Sequence, residues 1–293
     1  MGYELRQGMA MTYQHIEVRR VVGPVGAEIS GVDLSKPLAG AVVREIHSAW
    51  LAHQVVFFRD QTLDPVAQAR FAANFGELDV YPFMKALDGH PNVIPVVKEA
   101  DAKTNFGGGW HTDTSYLAHP PKATLLYAVD VPVRGGDTLF SDTSGAYEAF
   151  SIGMKRLLDG MVGIFSAAMV HGKTGAYTLG ADLSNDYGGK SEDAEREVEH
   201  PVIRTHPETG RKAIYASVAH TMRIKDMNLM ESKPIIELLH RQATRPEFVT
   251  RFNWTPGTLA MWDNRCLWHY ALNDYHGARR EMQRVIVQGD APR

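Results

Sequence analysis

Apolar residues at Val42, Val43, Ile46, Trp50 and Leu51 recur close to helical spacing, so residues 41–53 predict an amphipathic helix. The run QVVFFRD that follows is short, apolar, β-branched and aromatic, and predicts a buried strand. Residues 65–75 predict a second helix, ended by Gly76. Ahead of both, IEVRRVVGPVGAEISGVDL breaks into short strands at glycine and proline turns. Further strand-like runs fall at 123–131, 138–141, 213–217, 258–263 and 284–288, with helical patterns at 146–158 and 230–243. The strands are short, widely spaced and bounded by turn residues. That predicts a mostly β fold with flanking helices, a sandwich, barrel or jelly roll, and not an alternating βαβ sheet. With no internal repeat and no low-complexity linker, one domain over residues 1–293 is the simpler organisation. Residues 171–200 are rich in glycine, then acidic (GGKSEDAEREVEH), with little periodicity. They predict a solvated loop, or, in a functional reading, a lid over a site.

Composition narrows the class of partner. A net charge of −3 gives no long-range attraction for nucleic acid or an anionic membrane, so any affinity for an anionic small molecule must be local to a site. No apolar run approaches the roughly 20 residues needed to span a bilayer, and residues 1–10 lack the apolar core of a signal peptide. The single cysteine, Cys266, permits no intramolecular disulfide. A cytoplasmic enzyme is the expectation.

The chemistry concentrates in two segments. In GGGWHTDTSYL (residues 107–117), His111 and Asp113 are two apart, and in extended backbone they point to one side. Alone, a His-x-Asp tripeptide is weak evidence, because a surface histidine beside a turn-capping aspartate reads the same way. WDNRCLWHYALNDY offers a third donor, His269. Two histidines and one carboxylate on one side of an iron(II) leave positions open for a bidentate oxoacid and for dioxygen. Thr138, in VPVRGGDTLFSD, and Arg280, in ARREMQRVIVQGD, supply a hydroxyl and a guanidinium fork suited to the distal carboxylate of 2-oxoglutarate. Arg284 lies four residues beyond Arg280, so in a strand both face the same side, although a solvated basic face is the usual fate of such a run.

Taken together, these segments resemble the TauD/TfdA family of iron(II)- and 2-oxoglutarate-dependent dioxygenases. The likeness runs through GAEISGVDLSKPL, HQVVFFRDQTL, FGELDVYP, WHTDTSYLAHPPKATLLYAVDVPVRGGDTLFSD, HPVIRTHPETGRKAIYAS and WDNRCLWHYALNDYHGARREMQRVIVQGD, nearly the whole chain. The resemblance implies a double-stranded β-helix (jelly roll, cupin-like), often assembled as a dimer or tetramer. It implies iron ligands at His111, Asp113 and His269, a 2-oxoglutarate carboxylate site at Thr138 and Arg280, and Arg284 as partner of the substrate's anionic group. The chain departs from the taurine enzymes of the family at a His-x-x-Tyr pair, here Tyr81 and Met84, and at an asparagine, here Gly107. Taurine is therefore not the expected substrate. A larger, more apolar pocket is expected, for an alkyl sulfate, sulfonate, phosphonate or aryloxy carboxylate.

The surrounding residues read more plainly. Trp110, Trp262 and Trp268 read first as core, with exclusion of water from a metal site as the alternative. Cys266 reads as a small buried residue, Tyr116 as a possible pocket residue, and His200, His206, Asp137 and Asp263 as structural groups. Two readings from other classes compete: a zinc-dependent hydrolase or isomerase on a jelly roll, and a catalytically silent binding protein. The first leaves Thr138 and Arg280 without a purpose. The second sits badly with an intact set of His111, Asp113, His269 and Arg280.

Overall fold

The computed structural model describes residues 12–81, 84–172 and 192–293. A large sheet is built from β1 (Glu17–Arg20), β2 (Ala27–Ser30), β3 (Val55–Phe58), β4 (Ile94–Lys98), β5 (Ala123–Asp130), β13 (Leu259–Asp263) and β15 (Arg280–Val287). Its strand order is β1-β2-β3-β13-β5-β15-β4, antiparallel except for the β2–β3 pair. A second, three-stranded sheet, β12 (Val249–Phe252), β6 (Thr138–Asp142) and β14 (Leu267–Ala271), lies against it. These two sheets form the jelly roll. A further sheet of β11 (Thr221–Ile224), β7 (Val162–Ser166) and β8 (Glu197–Pro201), and a hairpin of β9 (Ile203–Thr205) and β10 (Lys212–Ile214), complete the described strands.

Side-chain alternation explains why the central strands read as continuous apolar runs. On β3, Val56 and Phe58 pack outward against α1 (Gly40–His53) and α2 (Pro65–Ala73), with Ile46, Trp50, Ala67 and Phe71. Val55 and Phe57 point the other way, into the space between the sheets with Phe140, Phe252 and Trp262. Both faces are covered, so neither can be polar. β15 obeys the same alternation: Val285 and Val287 face the helices, while Met282 faces the interior. Arg280 and Arg284 share the parity of Met282, so both guanidinium groups are carried inward, and both are buried. A third core gathers Tyr147, Phe165, Ile203, Tyr215 and Trp268 with Ile236 and Leu239 of α6 (Leu229–Ala243).

Sequence expectation and structure part in three places. The predicted helix at 146–158 is two helices, α3 (Thr143–Glu148) and α4 (Ile152–Leu158). Ser151 divides them, because its hydroxyl accepts from Met154 N at 3.2 Å and so caps a new start. Strands β4, β7, β8, β9, β11, β12 and β14 lie outside the predicted runs. Of the predicted loop 171–200, residues 173–191 lie outside the described residues, as does the lid reading that rests on them. Its end is not loop: after α5 (Ala168–His171) and a short 3-10 turn, Glu197–Pro201 pairs along β7. No helix among the described residues is long and apolar enough to cross a membrane.

Candidate active site

His111 and His269 are 158 residues apart in sequence, yet two backbone hydrogen bonds join them. His111 N donates to His269 O at 3.1 Å, and His269 N donates to His111 O at 2.8 Å. This isolated antiparallel bridge places the two rings with centroids 4.2 Å apart. Asp113 follows at once, in a turn tightened by Thr114 at φ +44°. Asp113 Oδ1 lies 3.7 Å from His111 Nε2 and 3.8 Å from His269 Nε2. Those gaps are too long for hydrogen bonds and suit donors that share a central cation. The extended-backbone argument for the His-x-Asp pair thus holds for one bridge only, beyond which the chain turns.

Each donor is prepared for that task. His111 Nδ1 lies 2.7 Å from Gly109 O, a carbonyl that can only accept, so the proton sits on Nδ1 and the Nε2 lone pair faces the gap. Asp113 Oδ2 accepts from Thr124 Oγ1 at 2.6 Å. Thr124 Oγ1 in turn accepts from Asn264 Nδ2, and Asn264 Oδ1 from Trp262 Nε1, each at 2.9 Å. One carboxylate oxygen is thereby tied back and the other left to the gap. Burial would raise the Asp113 carboxyl; His269, His111 and Arg284 outweigh it and hold it well below the usual carboxylate range. Burial, with His111 beside it, pushes His269 down to about 3. Both are therefore in the unprotonated forms that a metal requires. Sequence reasoning does not find Thr124 and Asn264, it reads Trp262 only as core or as a screen against water, and no spacing links the three.

Arg280 stands deeper between the sheets, 6% exposed, with its guanidinium carbon 5.8 Å from the Trp254 ring centroid. Trp254 Nε1 donates to Thr138 Oγ1 at 2.9 Å, so the arginine and the threonine meet on one tryptophan. Arg280 has no ion pair, and its Nε and Nη2 no hydrogen-bond partner, among the described residues. A buried guanidinium without a counter-ion is costly and fits an anion that arrives with a co-substrate.

A cavity of about 530 Å³ opens beside the metal-binding gap, lined among others by His111, Asp113, Tyr81, Phe106, His171 and Arg284. The Arg284 guanidinium lies 4.3 Å from the Tyr81 ring centroid and 5.5 Å from that of Phe106, with Nη1 3.7 Å from Asp113 Oδ1. Gly107 lines the cavity as expected. Its φ of +77° and a Cβ position only 3.3 Å from His111 Cε1 explain the glycine. Met84 packs near the same wall without reaching the cavity lining. Polar groups also reach this cavity, from segments other than those of Met84 and Gly107. Tyr81 Oη lies 3.2 Å from both Tyr116 Oη and His171 Nε2, and Ser115 Oγ lies 2.9 Å from His220 Nδ1. Tyr116, His171 and His220 all line the cavity, and neither His171 nor His220 belongs to a recognisable motif.

A second group of potential donors, His206, Asp263 and Cys266, is buried near the β13–β14 turn. Asp263 there accepts from Arg265 Nε and Nη2 at 2.7 Å and from His206 Nε2 at 2.9 Å. His206 Nδ1 accepts from Glu208 N and Thr209 N. His206 and Asp263 are satisfied by protein hydrogen bonds, so both are structural, in line with their sequence reading.

A jelly roll that closes two histidines and a carboxylate around one gap, with a buried arginine behind it that has no ion pair among the described residues, suits a metal- and oxoacid-dependent oxygenase. Comparison with known proteins specifies this further. Residues 17–286 match the family described as taurine catabolism dioxygenase TauD, TfdA family, and the chain belongs to it. It is 34% identical over 287 residues to the alpha-ketoglutarate-dependent sulfate ester dioxygenase of Pseudomonas putida, covering 94% of this chain and 91% of the relative. It is 32% identical over 294 residues to the alkylsulfatase of Acinetobacter baylyi, covering 94% and 86%. The crystal structure of a taurine dioxygenase from Burkholderia xenovorans superposes with a TM-score of 0.80 at 34% identity, covering 95% of this chain and 91% of that one. The chain is an iron(II)- and 2-oxoglutarate-dependent dioxygenase.

Proposed function

We propose that His111, Asp113 and His269 hold the iron, that Thr138 and Arg280 hold the distal carboxylate of 2-oxoglutarate, and that Arg284 holds the anionic group of a small alkyl sulfate ester. The observation that carries this reading is the pair of inward arginines on β15, one deep and unpaired, one on the wall of the cavity beside Asp113. The names of the two sulfate-ester relatives favour a sulfate over the other anions. When bound, iron(II) and 2-oxoglutarate supply oxidation by dioxygen, with succinate and carbon dioxide released and one oxygen atom placed on substrate carbon. The protein's own part is placement. Arg284 fixes the charged end, so the carbon next to the ester oxygen lies toward the metal, and Phe106, Val170 and the Tyr81 ring shield it from water. Hydroxylation of that carbon gives a product that expels sulfate and becomes an aldehyde.

The assay is substrate-dependent succinate release across sulfates, sulfonates, phosphonates and aryloxy acids. Alkyl sulfates should stimulate it with matching sulfate release, and His111→Ala or Asp113→Ala should abolish it. Stimulation by an aryloxy acid and by no sulfate would overturn the substrate class. The resemblance to the family also supports a homo-oligomer, which sedimentation of the purified protein tests.

A further inference from the structure

A second buried cation, Lys98, stands opposite Arg280. Lys98 ends β4, only 5% exposed. The burial pattern of β4 alternates, with Ile94, Val96 and Lys98 on the inner face. In the β4–β15 pairing Ile94 is opposite Arg284, Val96 opposite Met282 and Lys98 opposite Arg280. Residues directly opposite in an antiparallel pair project to the same side, with Cβ atoms about 4.5–5.5 Å apart. Lys98 and Arg280 are therefore like-charged neighbours inside the fold. Lys98 Nζ has no hydrogen-bond or ion-pair partner among the described residues and lies 4.5 Å from the Tyr275 ring centroid. Tyr275 is buried and meets Gly136, where an added Cβ would lie 3.3 Å from Tyr275 Cδ1 and 3.5 Å from Arg280 Cδ. One tyrosine ring thus adjoins both cations. Opposed like charges destabilise a strand pair, and among the described residues no carboxylate pairs with either of them. A dicarboxylate whose far end enters this space would.

We infer that Lys98 is a second cation of the co-substrate site and shares the distal carboxylate of 2-oxoglutarate with Arg280 and Thr138. This rests on the placement of 2-oxoglutarate proposed above. Lys98 supplies charge from β4 and Arg280 the fork from β15, so the carboxylate bridges the edge strand to its neighbour. The site then selects the five-carbon dicarboxylate through its far end, separately from the 2-oxo acid end at the metal.

Calorimetric titration of the manganese-loaded enzyme tests this without turnover. Lys98→Met keeps the bulk of the stem and removes the charge. The 2-oxoglutarate Kd should rise about tenfold or more and lose part of its salt dependence. The Kd for 2-oxovalerate, which lacks the distal carboxylate, should not move. Lys98→Arg should recover most of the loss, and the KM for the primary substrate should stay within about twofold of wild type. An unchanged 2-oxoglutarate Kd, or an equal loss for both acids, would overturn the inference and leave Lys98 as a packing residue on Tyr275. Arg280→Met separates the two readings. If it loses 2-oxoglutarate while Lys98→Met does not, only the role of Lys98 fails. If neither does, the co-substrate placement itself fails.

Discussion

Replacing Thr124 by valine should cost metal affinity although Thr124 is not a metal donor. Its hydroxyl donates to Asp113 Oδ2 at 2.6 Å and accepts from Asn264 Nδ2 at 2.9 Å, and its side chain is fully buried. Valine matches the shape, so no cavity forms and no water can replace the lost donor. A hydrogen bond to a charged group contributes roughly 1.5–3 kcal/mol, and stranding the Asn264 amide adds about 1–3 kcal/mol of instability. Part of the first quantity appears in binding, because a freed Asp113 rotates away from its poised geometry. Residues that orient metal donors typically change affinity 10–100-fold. Chelator competition with manganese should therefore give a Kd about 10–100 times that of wild type, and urea unfolding of the metal-free protein should show a lower midpoint. Thr124→Ser keeps the hydroxyl and should retain wild-type metal affinity while losing about 0.8 kcal/mol of stability for one buried methyl. A folded Thr124→Val protein binding manganese within about threefold of wild type would refute the reasoning, as would a serine variant that loses as much as valine.

Three further outcomes follow from the same geometry. Gly107→Ala forces a side chain into a left-handed backbone and against His111 Cε1, a strain of about 1–2 kcal/mol, and should weaken manganese binding in the same competition assay. Asp263→Asn removes one of the two carboxylates on the buried Arg265 and leaves it Glu208 alone, so it should lower the unfolding free energy by about 1.5–3 kcal/mol in urea titrations. The third outcome concerns pH. Burial, with Arg284 nearby, pushes His171 down to about 4, and burial with His111 and His171 nearby pushes His220 to about 3, from an ordinary 6.5. Both stay neutral when folded and gain a proton on unfolding, so their contribution is complete above pH 6.5 and is lost as pH falls toward 4 and 3. Each removes up to about 1.4 kcal/mol per pH unit. Urea midpoints of the metal-free protein should fall from pH 7 to 4.5, and a flat profile would contradict it.

The parts of the site that could be read from the chain are those where chemistry restricts the residue type. Only a few side chains bind iron, and only a guanidinium offers a planar fork, so His111, Asp113, His269, Arg280 and Arg284 stand out once their order is noticed. Arg280 and Arg284 share a face because a four-residue step along a strand returns to it, and β15 stays in register with β4 over that step. The supporting groups obey no such restriction. Any donor at the right point can hold Asp113, and the one present is a threonine within ATLLYAVD, where it reads as an ordinary β-branched strand residue. Its partner Asn264 is 140 residues away, so no local pattern links them. Lys98 was hidden for a related reason. A lysine at the end of IPVVK normally marks a strand leaving the core, and its burial is set by the residue opposite it on β15. Met84 and Gly107 speak for two positions of the pocket only, because polar groups can reach it from other loops. Here Tyr116, His171 and His220 reach the cavity from three separate segments. Specificity in such a fold is therefore distributed over positions that share a wall and not a motif. For that reason the reaction class is visible in five residues, while the choice of substrate depends on side chains that only the folded chain brings together.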